Sequence, residues 1–457
     1  MRDRLAITVG RIAGRLSRLR GGGATSLPGV AALKVSPKLI GSLAHELAGT
    51  IVVTGTNGKT TTSRFVRSIL EADGRAVVHN QAGSNLLRGI ASSLLLGRPP
   101  RKTANQTWGL FEVDEATVPE ACRQLRPTVV VVTNLFRDQL DRYGELHRTA
   151  EYLRDGLKTL PKESIVLLNA DDPLVASLGA GLDCRVVYFG IEDASASRGQ
   201  LSHAADSLTD PKTGELLEYS AVFLGHLGHY TSTSGKLQRP KPQYALTKVG
   251  LRGIVGSDIE VRTPSETVSL SLKIPGLYNA YNALAAVSAG IALGVSTATI
   301  TQAIGDTAAA FGRNERVRAN DKDLFIGLIK NPTGANEVIH TLALESGAKD
   351  LLILINDNFA DGRDVSWLWD ADFDELVPQL RSVTVGGLRA DDMAVRMKYA
   401  GVAEDRVTVE RAVPAALKRA LAGVPPKGTL FVLPTYTAML DLRQELRRTG
   451  FVKHYLE

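Results

Sequence analysis

The sequence predicts an α/β protein built on two parallel sheets. Three observations carry this reading. Short apolar runs alternate with helix-length segments from Ile51 to Phe189. A glycine-rich turn, TGTNGKTTT at Thr54–Thr62, joins the first run to the first helix of that alternation. A second alternation begins at Leu324. Apolar runs of strand length separated by helices are the pattern of parallel strands covered on both faces.

The first alternation comprises Ile51–Thr54, Leu110–Val113, Thr128–Thr133, Ile165–Asn169 and Arg185–Phe189 as strands, with Ser63–Ala72 helical. Residues 195–242 are polar and rich in Ser, Gly, Thr and Pro, with DPKTGE as a turn signal. This stretch reads as an insertion of short strands. Val268–Ile274 alternates as a strand, and Asn279–Leu293 is an Ala-rich buried helix. The second alternation places strands at Leu324–Ile329, Leu351–Ile355, Val383–Val385, Val407–Val409 and Leu430–Leu433, with helices at Ala412–Ala422 and Thr437–Arg448. The expected division is therefore 1–45, 46–317 with the 195–242 insertion, and 318–457.

The chain has 457 residues, of which 44% are hydrophobic, 22% charged and 5% aromatic. That composition suits a soluble globular protein of two or three domains with an aliphatic core. No run approaches the roughly 18 apolar residues of a membrane span. The Arg-interrupted start lacks the apolar stretch of a secretory signal. Two cysteines, Cys122 and Cys184, make no disulfide framework, so a reducing cytoplasm is expected. The net charge is +6, which favours an anionic partner such as a nucleotide, a nucleic acid or a membrane surface. Much of the excess lies in Arg2, Arg4, Arg11, Arg15, Arg18 and Arg20, opposed only by Asp3. Leu5, Val9, Ile12, Leu16 and Leu19 recur at helical spacing beside them. Such a helix could dock on the protein's own core, the commoner case, or lie on an anionic bilayer.

Thr54–Thr62 carries the chemistry. Gly55 and Gly58 let backbone N–H groups turn toward phosphate oxygens, and the helix that follows offers its positive end. Thr56, Asn57 and Thr61 complete the cradle. Lys59 is placed to reach the β- and γ-phosphates, and Thr60 to ligate magnesium. The usual first glycine of such loops is missing: Val53 and Thr54 occupy the candidate places. The loop is the short variant.

That short variant resembles the loop of the Mur ligase superfamily, ATP-dependent carboxylate–amine ligases that include folylpolyglutamate synthetase. Further stretches fit in order: FEVDEA at Phe111–Ala116, TNLFRDQLDRYG at Thr133–Gly144, LNADDP at Leu168–Pro173, PGLYNAYNALAA at Pro275–Ala286, GRNER at Gly312–Arg316 and KNPTGAN at Lys330–Asn336. The resemblance implies a central P-loop ATPase domain on a parallel sheet plus a smaller Rossmann-like C-terminal α/β domain. It implies ATP and magnesium as cofactors, with Thr60 and Glu112 on the metal. Asn134, Asn279, Asn282 and Arg313 are implied as nucleotide contacts. By spacing alone both Asn279 and Asn282 could simply cap or pack the helix. Asp138 and Asp141 could equally pair with Arg137 and Arg142.

Some positions depart from the superfamily pattern. Gln139 stands for a His, Lys330 stands for the His before Asn-Pro, and Gly327 stands for the ribose-binding Asp. With NDNFADGRDVSWLWD at Asn356–Asp370 and LPTYTAM at Leu433–Met439, these departures are similar to the MurT branch, the synthetase subunits of lipid II isoglutaminyl synthase. This resemblance implies amidation of the D-glutamate α-carboxylate of lipid II through an acyl phosphate. Lys59 and Glu112 are the implied catalytic groups, with ammonia supplied by a GatD-like glutamine amidotransferase. It further implies a C-terminal-domain aspartate that completes the partner's Cys–His pair. Asp364 is the match, with Asp361 and Asp357 as close competitors, and a solvated Asp-Gly turn is the plainer account of the loop. The alternative function is a Mur- or folylpolyglutamate-type ligase that adds a whole amino acid. Neither cysteine lies in a strand-to-helix elbow, so no glutaminase is expected within this chain. Relatives often carry a four-cysteine zinc ribbon in the middle domain. The equivalent stretch has no cysteine, and His203, Asp206, His226 and His229 are the candidate ligands weighed there, so zinc is not expected. Nucleic acid is not an expected partner. The expected location is cytoplasmic, with peripheral contact at the inner face of the plasma membrane open.

Overall fold

In the computed structural model, residues 2–19, 26–80, 83–97, 103, 106–138, 146–199, 201, 205–307 and 313–452 are described. Two mixed sheets organise the chain. The first contains β1 (Gly49–Thr54), β2 (Ala76–His79), β3 (Thr107–Glu112), β4 (Val129–Val132), β5 (Ile165–Asn169) and β6 (Arg185–Ile191). A hairpin of β7 (Leu217–Leu224) and β8 (Leu227–Ser232) interrupts it. The chain then adds β9 (Tyr244–Leu251), β10 (Ser257–Arg262) and β11 (Thr267–Leu272) at the far edge. The strand order is β11-β10-β9-β6-β5-β4-β1-β3-β2.

Burial explains this order. Residues Thr50 to Thr54 of β1 and all four of β4 are buried, as befits strands with helices on both faces. β1 pairs in parallel with β3 on one side and β4 on the other. Strands β10 and β11 pair antiparallel and alternate buried with exposed side chains. That alternation belongs to a sheet with one wet face. Helix Leu277–Ala292 is buried on nearly every side, from Leu277 to Gly290, and lies in the main core with Phe65, Val66, Ile69 and Leu70 of helix Lys59–Ala72.

The second sheet is β12 (Arg313–Ala319), β13 (Lys322–Gly327), β14 (Lys349–Leu354), β15 (Leu380–Gly386), β16 (Val407–Val409) and β17 (Thr429–Pro434). Its order is β12-β13-β17-β14-β15-β16. All are parallel except β12, which pairs antiparallel with β13. A division at 317/318 would cut β12, since the change of sheet falls between Asp306 and Arg313. The local sequence RNERV carries no apolar alternation, which is why it reads as a tail of the preceding block.

The 195–242 stretch holds the β7–β8 hairpin and two isolated bridges. Its DPKTGE turn closes through Asp210, whose carboxylate accepts from the Lys212 N–H at 2.8 Å and the Thr213 hydroxyl at 2.9 Å. His226 and His229 do not converge on a common point. The His226 Nδ1 accepts from the Asp206 N–H at 3.3 Å, and the His229 Nε2 meets the Ile191 carbonyl at 2.7 Å. His203 lies outside the described residues. Among the described residues, no three His, Cys, Asp or Glu side chains gather as a metal site.

Helix Arg2–Leu19 docks on the first domain, but not by the expected stripe. Ala6, Gly10 and Gly14 are its buried positions. A methyl group on Gly10 would press on Leu95 and Ala32, and one on Gly14 on Leu96 and Pro28. Small residues allow this approach, so the larger Leu5, Ile12, Leu16 and Leu19 are left exposed.

Phe65 is 1% exposed, between helix and sheet. Phe65→Ala is expected to destabilise the first domain by about 3–5 kcal/mol. The check is the urea unfolding transition of that domain; a loss below about 1 kcal/mol would contradict this packing.

Candidate active site

The carboxyl end of β1 turns into helix Lys59–Ala72 through the phosphate loop. β1 is the strand at which the connections diverge to both sides of the sheet, the usual position of a ligand crevice. Gly55 and Gly58 have φ of +117° and +90°, backbone that L side chains rarely adopt. A Cβ on Gly58 would strike the Asn282 amide oxygen, and one on Gly55 would strike Thr133 and Asn134. The loop is thus held from two sides. The Asn57 N–H donates to Asn134 Oδ1 at 2.9 Å, and Asn134 Nδ2 donates to the Asn57 carbonyl at 3.1 Å. The Thr56 N–H donates to the Asn134 carbonyl at 2.8 Å. From the other side, Asn282 Oδ1 accepts from the Thr62 hydroxyl at 3.3 Å. Asn282 Nδ2 donates to Asn279 Oδ1 at 3.1 Å, and Asn279 Nδ2 donates to the Pro275 carbonyl at 2.7 Å.

Lys59 Nζ lies under the loop, donating to the Gly55 carbonyl at 2.5 Å and to Glu115 at 3.3 Å. Burial alone would lower its pKa. The surrounding Glu115, Glu112, Asp114 and Asp138 outweigh that and raise it, so the ammonium stays charged. The Thr60 hydroxyl donates to Glu112 Oε2 at 2.8 Å. Asn80 brackets the backbone of Glu112 with two bonds, of 2.9 and 2.7 Å. The Thr60 and Glu112 oxygens are hard donors beside the phosphate cradle. This suits a magnesium ion that takes its other ligands from water and phosphate.

The loop opens on a cleft of about 860 Å³, partly open to solvent. The first domain contributes Asn57, Asn134, Tyr278, Asn279 and Asn282, and the second contributes Asn314, Lys330 and Glu337. Direct bonds cross the cleft. Asn331 Nδ2 donates to Asn57 Oδ1 at 3.1 Å, Lys330 pairs with Asp138, and Arg198 pairs with Glu337 at 2.7 Å. Asp138 therefore meets Lys330 rather than Arg137, which pairs with Asp206. Asp141 and Arg142 lie outside the described residues. Arg313 stands at the start of β12; its side chain is not among those described.

Asp171 and Asp172 of LNADDP are fully buried supports. Asp172 accepts from the Leu174, Val175 and Leu135 N–H groups. Asp171 accepts from Arg239 at 2.6 Å and from the Tyr281 hydroxyl at 2.6 Å. Burial pushes its pKa up, against the pull of Arg239. Glu115 and Asp114 beside Lys59, and Asn331 against Asn57, adjoin the candidate site although the motifs did not single them out. FEVDEA holds three acids within four positions, and only the turn after β3 decides which one reaches Lys59.

The three candidate aspartates differ in surroundings. Asp361 is buried and accepts from the Thr437 N–H at 2.7 Å and from the Thr437 hydroxyl, at the start of helix Tyr436–Arg448. Burial raises its pKa. Asp357 pairs with Arg389 at 2.9 Å. Asp364 is exposed and accepts from the Ser366 N–H at 2.8 Å. Bonds from Ser366 hold its carboxyl below the usual range. Cys122 is fully buried, and burial pushes its thiol up to about 12.

Fold and loop together define a nucleotide-binding protein of the Mur ligase class. Residues 53–230 match the Mur ligase middle domain, and residues 328–439 match the MurT ligase C-terminal domain. A Staphylococcus aureus protein named lipid II isoglutaminyl synthase (glutamine-hydrolyzing) subunit MurT is 33% identical over 98% of this chain and 99% of its own length. The chain belongs to the MurT family. Its fold is similar to that of a pseudomurein peptide ligase type C from Methanothermus fervidus, with a TM-score of 0.68 and 21% identity over 88% of this chain and 78% of that one. It is also similar to MurF ligase from Thermotoga maritima, solved in complex with ADP, with a TM-score of 0.64 and 14% identity over 92% and 84% of the two chains.

Gly58→Ala should lower nucleotide affinity at least about tenfold, because it strains the turn and displaces Asn282; isothermal titration with ATP reads this, and unchanged affinity would refute the cradle. Cys122 has a raised folded-state pKa, so its thiol form stabilises the fold below the ordinary thiol pKa, and that contribution is lost as pH rises toward about 12. Native protein at neutral pH should therefore leave Cys122 unalkylated by iodoacetamide, and denatured protein should not; mass spectrometry of the peptides decides.

Proposed function

We propose that this chain is the synthetase subunit of an ATP-dependent amidating ligase. The likeness to a glutamine-hydrolysing MurT subunit along nearly the whole chain carries the reading. The phosphate loop facing the inter-domain cleft is its chemical counterpart. The substrate carboxylate is the α-carboxylate of D-glutamate in lipid II. One carboxylate oxygen attacks the γ-phosphorus of ATP, and ADP leaves. Ammonia then attacks the acyl carbon, phosphate leaves, and the nitrogen sheds a proton to give the D-isoglutamine amide.

Lys59 steadies the charge that gathers on the transferring phosphoryl group, from a position already neutralised by Glu115. Thr60 and Glu112 would hold magnesium, which supplies charge neutralisation when bound. Asn57, Asn134, Asn279 and Asn282 keep the loop in its receiving shape, and Arg313 is proposed to join them on the nucleotide. The Lys330–Asp138 pair and the Asn331–Asn57 bond hold the second domain over the loop. Enclosure of this kind keeps water from an acyl phosphate.

Ammonia comes from a GatD-like glutamine amidotransferase. The buried Cys122 supports a separate partner, since a nucleophilic cysteine needs access and a lowered pKa. Asp364 is proposed to complete the partner's Cys–His pair. Its exposure supports this choice over Asp361 and Asp357, which are engaged in a helix start and an ion pair. The reaction is placed in the cytoplasm, at the inner face of the plasma membrane where its lipid-linked substrate lies.

With partner, lipid II, ATP, magnesium and glutamine, the product should lose about one dalton per glutamate, the acid-to-amide difference. An unchanged mass with an active partner would sink the reading, and partner-free ATP turnover driven by a free amino acid would favour an amino-acid-adding ligase instead. Lys59→Ala should cut the rate by about a hundredfold or more. Asp364→Asn should abolish amidation from glutamine but keep amidation from ammonium chloride. Equal loss with both nitrogen sources would place Asp364 in the synthetase rather than at the partner.

A further inference from the structure

Helix Arg2–Leu19 carries three distinct faces. Ala6, Gly10 and Gly14 form the docked face. The Asp3 carboxylate anchors that side by accepting from the Ser36 hydroxyl at 2.6 Å. Leu5, Ile12, Leu16 and Leu19 are 57%, 53%, 52% and 83% exposed. At 3.6 residues per turn these four fall within roughly 60° of each other, centred roughly 150° from the docked face. The apolar stripe therefore points away from the body of the protein. Arg4, Arg11 and Arg15 are also exposed, and they form a third strip roughly 90° from the apolar one.

An apolar stripe of this size is not left in water without consequence. Docking alone does not require it, because the small residues do the docking. A polar residue at any of the four positions would have left Gly10 and Gly14 against their neighbours. The occupant has to accept aliphatic side chains to a shallow depth along one helix length, and to present negative charge along its border. A bilayer with anionic headgroups has both properties: its acyl boundary takes Leu and Ile, and its phosphates meet Arg at the same level. No helix among the described residues is long and apolar enough to cross a membrane, so the contact is peripheral.

We propose that the outward face of helix Arg2–Leu19 is a membrane-docking surface for anionic phospholipid, with Leu5, Ile12, Leu16 and Leu19 inserted at the acyl boundary and Arg4, Arg11 and Arg15 on headgroup phosphates. The helix is already folded and held by its small-residue face, so docking does not need a coil-to-helix transition. The surface belongs to the nucleotide-binding domain. This inference does not rest on the amidation reading, since it concerns bulk lipid rather than the reacting substrate.

The test uses the full chain and sedimentation with vesicles that contain neither precursor lipid nor nucleotide, so its outcome is separate from that of the amidation assay. Vesicles of phosphatidylcholine with phosphatidylglycerol should bind the protein at least about tenfold better than phosphatidylcholine alone, and high salt should weaken that binding. Ile12→Glu with Leu16→Glu should reduce binding to anionic vesicles at least about tenfold. Both positions are exposed, so the thermal midpoint should not move. Arg4→Gln with Arg11→Gln should cost roughly fivefold per charge on anionic vesicles and little on neutral ones. Wild-type protein that stays in the supernatant with anionic vesicles would overturn the proposal. So would an Ile12→Glu/Leu16→Glu variant that binds as well as wild type. A wild-type dimer in analytical ultracentrifugation that the same variant dissolves would assign the stripe to a second copy of the chain instead.

Discussion

The contact between Gly58 and Asn282 joins two parts of the chain that are far apart in sequence. The loop must leave β1, expose its N–H groups and enter a helix within a few residues, and only left-handed glycine backbone makes that turn. It then needs support from outside itself. Thr133 and Asn134, at the end of β4, supply one wall, and Asn282 supplies the other. Because Asn282 sits on a helix buried on nearly all sides, the wall is as rigid as the core. Without a side chain at position 58 the two elements can touch, and the phosphate cradle is the space left on the loop's other face.

Charge around the loop follows from the same economy of space. Lys59 is enclosed, and an enclosed ammonium is costly unless matched. Glu115 and its acidic neighbours match it before any nucleotide arrives. A triphosphate would therefore compete with these carboxylates for Lys59, and magnesium held by Thr60 and Glu112 would supply positive charge to offset the repulsion. The second domain reaches the same place through Lys330 and Asn331. Closure of the cleft and shaping of the loop are thus parts of one hydrogen-bonded unit.

Much of this was legible in the residues. Short continuous β-branched runs such as IVVT and VVVV read as strands buried on both faces, and they marked β1 and β4 to within a residue or two. The glycine spacing identified the loop, and the structure sets the acid ending β3 and the Asn pair on the later helix beside it. Other features were hidden for physical reasons. Strand β9 buries Tyr244, Ala245 and Leu246 in succession and then exposes Thr247 and Lys248, so it shows neither a long apolar run nor a clear alternation. Strand β12 owes its place to pairing with β13 rather than to its own composition. Asp138 had two cationic neighbours in sequence, yet it meets Lys330 from the other domain.

The first helix shows the division most plainly. Sequence alone determined that residues 2–19 form an amphipathic basic helix, that a phosphate loop follows the first central strand, and that two α/β units share the chain, because periodicity and glycine placement are local properties. Which face of that helix docks was decided by the tertiary structure. Close packing rewards the small residues that let backbones approach, so Ala6, Gly10 and Gly14 went inward and the leucines stayed out. Which acid neutralises Lys59 and which aspartate stays exposed were decided the same way, since each depends on where a second element happens to place its partner.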